Sequence, residues 1–235
     1  MDISANLNSV RQRVAAACAR AGRDASSVTL VTVAKGQPAE VVCAAAQLGL
    51  ALFGENRVQE ARAKISLCPA RLRWHLIGHL QSNKCRDAVH LFEMIQSVDS
   101  LSLAREINKW AEKSAKTMPV LIEVNVAGES SKFGYAPDKV LAELQEINAL
   151  PRIEVHGLMT VAPFARETEK VRPVFRRLRE LKRQCEELLG APLAHLSMGM
   201  SDDFEVAVEE GATMIRLGSA VLGPRAASKP AADGP

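Results

Sequence analysis

The chain has 235 residues, 47% of them hydrophobic and 24% charged, with 14 Gly and 11 Pro. These are ordinary values for a folded protein and exclude disordered, collagen-like and disulfide-scaffold classes. Thirty Lys and Arg against 27 Asp and Glu leave a net charge of +3, too small to read as a nucleic-acid footprint, and a single tyrosine beside 6 Phe and 2 Trp offers little to stack on bases.

The N-terminal stretch MDISANLNSVRQRVAAACARAG reads as a polar-punctuated helix; it has no uninterrupted apolar segment, and no stretch of the chain approaches a membrane span. Eight short apolar runs follow, each of strand length. They are 28–34 (VTLVTVA), 50–54 (LALFG), 74–78 (WHLIG), 94–98 (MIQSV), 120–126 (VLIEVNV), 154–159 (EVHGLM), 195–198 (HLSM) and 214–217 (MIRL). Between most of them lie segments of helical period, at 39–47, 58–65, 101–116, 137–150, 167–189 and 202–210. Gly49, Gly190 and Gly211 stand where helices would end, and Ser201-Asp202-Asp203 where one would start.

Strands alternating with helices imply parallel pairing through crossovers, and eight strands is the number that closes a barrel. The expected fold is therefore α/β: one (β/α)8 TIM barrel over residues 1–223, with an extra N-terminal helix. An open doubly wound sheet is the alternative, but the first run ends in Ala34-Lys35-Gly36-Gln37 without a G-x-G-x-x-G turn. From 224 to 235 the periodicity is lost, which predicts a disordered tail. The five cysteines, Cys18, Cys43, Cys68, Cys85 and Cys185, form no C-x-x-C pair. Neither a zinc site nor a disulfide framework is expected, and a reducing cytoplasm is the simplest setting.

A barrel keeps its active site at the C-terminal ends of its strands. Lys35 directly follows the first run, where desolvation would make an amine a Schiff-base nucleophile. Asn56, after the second run, either orients a ligand or caps the helix that follows. His75 and His79 share strand parity but stand ~13 Å apart at strand rise, too far to share a metal. Tyr135, Met159 and Thr160 read as packing and loop residues. After the seventh and eighth runs, Ser201, Gly218 and Ser219 offer hydroxyls and open backbone where this fold usually binds phosphate.

A lysine on strand one facing a phosphate cradle describes a site for pyridoxal 5'-phosphate (PLP). Here the chain resembles the pyridoxal phosphate homeostasis protein family, relatives of the alanine racemase N-terminal barrel with a PLP fold type III architecture. The segments that carry the resemblance are VTVAKGQPAE, FGENRVQEA, RWHLIGHLQSNK, HGLMTVAP and LSMGMSDDFEVAVEEGATMIRLGSAVLG, spread over residues 28–223. The resemblance implies Lys35 as the aldimine lysine, with Ser201, Gly218 and Ser219 around the phosphate. It also implies Arg216 near the pyridine nitrogen and Asn56 on the site wall. An arginine there keeps that nitrogen unprotonated and the ring a poor electron sink. Ala34 and Gly36 flank the lysine where many relatives have serine and threonine, and Arg57 stands where tyrosine is common.

Racemisation needs a base on each face of the cofactor. The alanine racemase family takes its second base, a tyrosine, from a further β-domain, whereas this chain ends twelve residues after Gly223 and its one tyrosine has no comparable motif around it. The expected function is a non-catalytic PLP carrier that buffers the cofactor inside the cell and passes it to apo PLP-dependent enzymes. It is expected to act as a monomer, without nucleic-acid or membrane partners. The alternatives are a PLP-dependent amino-acid racemase or lyase, and a cofactor-free Schiff-base aldolase.

Overall fold

The structure, a computed structural model, describes residues 2–224. Helix α1 (Ile3–Arg20) begins where the Asp2 carboxylate accepts from Ala5 N at 3.0 Å, satisfying one of the amides that a helix start leaves unpaired. Leu7, Val10, Val14, Ala17 and Cys18 recur at three- and four-residue intervals and form its buried face.

The alternation then runs β1 (Thr29–Val33), α2 (Ala39–Gln47), β2 (Leu52–Glu55), α3 (Val58–Ile65), β3 (Arg73–Leu76), α4 (Cys85–Leu91), β4 (Met94–Val98) and α5 (Leu101–Lys113). It continues β5 (Met118–Glu123), α6 (Pro137–Asn148), β6 (Ile153–Met159), α7 (Arg172–Leu189), β7 (His195–Ser197), α8 (Phe204–Glu209), β8 (Met214–Leu217) and α9 (Ser219–Leu222). Among the described residues the eight strands pair in parallel in chain order and close, β8 returning to β1, into the expected barrel. α1 lies outside the ring against α8 and α9, tied there by Arg13–Glu205 at 2.9 Å and Arg20–Glu209 at 2.6 Å. No helix among the described residues is long and apolar enough to cross a membrane. The expected tail lies, apart from Pro224, outside the described residues.

Boundaries differ from the expected ones where a local contact overrides the apolar pattern. β2 extends to Glu55 because its carboxylate, although fully buried, is paired with Lys64 of α3. β5 stops at Glu123, where Tyr135 N bonds Glu123 O at 2.8 Å and Val124 pairs with Tyr135. α7 starts at Arg172, after a 3-10 turn at Thr168–Val171, because Pro173 can sit only in the first turn of a helix. Asp203 precedes α8, but its carboxylate turns back to accept from Met200 N at 2.6 Å.

Two separate packings result. Between strands and helices lies a large apolar shell that includes Phe53, Phe92, Phe175 and Phe204. Inside the barrel, Val31, Leu52, Ile77, Met94, Leu121, Met159 and Met214 form a second, smaller cluster. β6 and β7 approach so closely that a Cβ on Gly157 would lie 2.0 Å from the His195 carbonyl oxygen, so no side chain fits there. The register slips in β4–β5 between Ile95 and Val98 and in β5–β6 between Val120 and Leu121, bulges that re-aim side chains at the barrel wall.

Candidate functional site

At the C-terminal mouth of the barrel a cavity of about 350 Å³ is lined by Lys35, Asn56, Ser201, Arg216, Gly218 and Ser219, the six residues singled out in the sequence. Asp202 and Met200 also border it, and Val33, Ile77 and Val161 supply its apolar part.

Lys35 occupies a tight turn. Gln37 N donates to Ala34 O at 3.0 Å, and Gly36 between them has φ of 69°, a conformation that glycine adopts without strain. The same Ala34 carbonyl accepts from Lys64 Nζ at 2.7 Å, and Lys64 is in turn paired with Glu55. Burial pushes the Glu55 carboxyl up, against the opposing pull of Lys64. A buried ion pair on the outer side of the barrel thus anchors the backbone that presents Lys35.

Asn56 does not cap α3. Arg57 holds that position, without a side-chain cap bond, while the Asn56 backbone lies against Gly78, where a Cβ would meet Asn56 O at 2.5 Å. Opposite, the Ser201 hydroxyl accepts from Ala220 N at 3.2 Å, joining the loop after β7 to α9. Gly218 has a negative φ, −105°, with ψ of −83°, and a Cβ there would meet Val33 first, at 3.5 Å. The neighbours leave space for a side chain at 218; its absence leaves room in the cavity wall, as a phosphate-sized group beside Ser201 and Ser219 would require.

Arg216 enters from β8 and is buried, 4% exposed. Its Nη1 donates to Ser197 Oγ and its Nη2 to the Thr160 carbonyl, each at 2.7 Å. Burial lowers its pKa to about 10, with Glu123 and Asp203 pulling the other way, so the guanidinium is still charged at neutral pH. Glu123, at the end of β5, is pushed up to about 7 by burial and by Asp99, and its Oε2 finds no hydrogen-bond partner among the described residues.

The remaining candidates fall elsewhere. His75 points into the barrel and bonds Gln96, whereas His79 lies beyond β3 at the rim, 3.0 Å from Asp99 and stacked on Phe133. The Tyr135 hydroxyl donates to Glu143 at 2.7 Å, and burial with that carboxylate raises its pKa. Three arginines of α7 are paired with carboxylates: Arg172 with Glu169, Glu209 and Glu210, and Arg176 and Arg179 with Glu210. Sequence reasoning missed Gln96, Ser197 and the Glu55–Lys64 pair. The available signal was a polar residue inside a run whose neighbours are apolar, as Gln96 is in MIQSV.

A closed barrel with a mouth lysine, a hydroxyl-and-glycine wall after β7 and β8, and a buried arginine on β8 defines a protein of the alanine racemase N-terminal barrel class. The family model described as alanine racemase, N-terminal domain, matches residues 5–226. Within that class the chain belongs to the pyridoxal phosphate homeostasis protein family. It is 43% identical over 226 residues to the Aquifex aeolicus protein of that name, covering 96% of this chain and 99% of the relative. To the human protein it is 39% identical over 246 residues, covering 97% and 89%. Among solved structures it resembles PipY of Synechococcus elongatus with PLP bound, at a TM-score of 0.83 and 35% identity over 94% of this chain and 100% of the other. Alanine racemase of Clostridium difficile shares the fold, at a TM-score of 0.73 and 16% identity over 94% of this chain and 56% of the enzyme.

Proposed function

We propose that this protein binds pyridoxal 5'-phosphate covalently through Lys35 and serves as an intracellular reservoir for it. The observation that carries this reading is the shared cavity: an amine, two hydroxyls beside an open glycine, and a fixed guanidinium all border one space. Lys35 Nζ would be the amine that condenses with the cofactor's aldehyde, whose oxygen leaves as water. Ser201 and Ser219 would hold the phosphate, with Gly218 leaving room beside the backbone, and Asn56 would form a side wall. Arg216, held charged, would serve the ring nitrogen as a donor and leave it unprotonated. PLP supplies an aldehyde that condenses with amines and, when its ring nitrogen is protonated, an electron sink. The relatives' name and the PLP-bound neighbour support the same cofactor.

Holding rather than turnover follows from two features. The arginine weakens the electron sink that carbanion chemistry needs, and the Tyr135 hydroxyl is engaged with Glu143. Covalent capture that water or an incoming amine can reverse suits a monomeric cytoplasmic donor to apo-enzymes. The residues of 1–223 then form one unit, with the barrel mouth open to recipients.

Incubation with PLP should give a visible absorption band that borohydride traps on Lys35 and that is lost in Lys35→Ala. A wild-type protein showing no such band would overturn the reading. Turnover of amino acids by the wild type but not by Lys35→Ala would replace the reservoir by an enzyme.

A further inference from the structure

Beneath the cavity, the barrel interior holds a chain of polar side chains that none of the cofactor contacts accounts for. Ser197 Oγ, which accepts from Arg216 Nη1 at 2.7 Å, donates to Gln96 Oε1 at 2.6 Å. Gln96 Nε2 reaches His75 Nδ1 at 2.8 Å and Met214 Sδ at 3.6 Å. Gln96 and Ser197 are both 0% exposed, and His75 is 3% exposed. Gln96 sits where β4 slips register against β5, a bulge of the kind that aims a side chain.

The hydrogens in this chain can be assigned in one consistent direction. A guanidinium only donates, so Ser197 must accept from it and has a single proton left for Gln96 Oε1. The amide nitrogen then faces His75 Nδ1 and the methionine sulfur, which can both accept, since burial holds His75 neutral by pushing it down to about 4. With the amide flipped, the Ser197 oxygen would accept from both Arg216 and Gln96, its own proton would lose this acceptor, and the Gln96 oxygen would face the methionine sulfur. Each link in β3, β4, β7 and β8 therefore orients the next, and the charged end lines the cofactor cavity.

We propose that Gln96 is a positioning residue: acting through Ser197, it fixes the Arg216 guanidinium in the orientation that meets the cofactor's ring nitrogen. This rests on the reading of the cavity as a PLP site, but its first test does not. In 15N-arginine-labelled protein without cofactor, the Arg216 guanidinium signal should be protected from exchange in the wild type and in Gln96→Glu, which keeps the acceptor oxygen. It should lose that protection in Gln96→Met, which has similar size and no acceptor. Unchanged protection in Gln96→Met overturns the proposal whether or not PLP binds.

With PLP, Gln96→Met should weaken binding about 10-fold and displace the pH profile of the visible band, while borohydride still traps the cofactor on Lys35. Ser197→Ala should do the same, and the double variant should add little, because two residues acting through one link are not additive. Additive losses, or a wild-type pH profile in a folded Gln96→Met protein, would count against Gln96. If Gln96→Met does not fold, Ser197→Ala carries the same comparison. A wild type without any band would instead refute the PLP site and leave the exchange result standing.

Discussion

The barrel has two interiors built on opposite rules. The shell between strands and helices is filled with aliphatic and aromatic side chains. The lumen has a small apolar cluster, and above and beside it a polar chain from His75 through Gln96 and Ser197 to Arg216, with Glu123 nearby. Burying polar groups costs free energy unless each is hydrogen-bonded, so the lumen is the worse place to look for stability. It is, however, the layer whose Ile77 and Arg216 side chains border the cavity. The difference separates the region that keeps the chain folded from the region that borders the cavity.

The largest effect that would test this division is in the shell. Phe175 of α7 is 0% exposed, and Phe175→Ala should cost about 3–5 kcal/mol through lost transfer energy and the cavity left behind. Urea unfolding should show that loss, while PLP affinity measured on the folded fraction stays at its wild-type value. A large change in affinity would mean that the two interiors are coupled and that their separation is wrong.

The lumen should respond to pH instead. The Glu123 carboxyl is raised from its ordinary 4.5 to about 7, chiefly by burial. A carboxyl raised on folding contributes stability that is fully present below the unfolded value of about 4.5 and is lost as pH rises through about 7. Glu123→Gln, neutral at every pH, should therefore match the wild type near pH 4.5 and exceed it by roughly 2–3 kcal/mol at pH 8. His75, pushed down to about 4, has the opposite slope, losing its contribution as pH falls, but it is present in both proteins and cancels in the difference. Equal stability of the two proteins at both pH values would show that Glu123 ionises in the fold without penalty.

The same division decides what could be read in the sequence. Strands and helices that pack the shell show their period directly: the runs at 94–98 and 214–217 and the helices at 39–47 and 58–65 coincide with β4, β8, α2 and α3. The mouth was legible too, because a lysine after strand one and serines and glycines after strands seven and eight are placed by the fold itself. The lumen was not. Gln96 marks itself only as a polar residue inside an apolar run; its role depends on residues 101 and 118 positions away in the chain, and a register slip decides where it points. Glu55 falls outside the apolar run at 50–54 because a lone charge ends such a run, and the fold is what brings Lys64 to it. Long-range polar pairing leaves no period, so it becomes visible only when the barrel closes.

The smallest expected effect bears on the choice between reservoir and enzyme. Tyr135 is 4% exposed, and its hydroxyl donates to Glu143 across the loop between β5 and α6. A tyrosine acting as a catalytic base would need its oxygen free and its proton easily lost, yet burial and the neighbouring carboxylate both hold that proton on. Tyr135→Phe should therefore cost about 1.5–2 kcal/mol, the lower part of the range for a hydrogen bond to a charged group, since Glu143 is only partly buried. PLP affinity, the visible band and any residual exchange of amino-acid α-protons should remain as in the wild type. Loss of such exchange in a stably folded Tyr135→Phe protein would make the tyrosine a participant and would require the loop to open toward the cavity, a motion its bonds to Glu123 and Glu143 oppose.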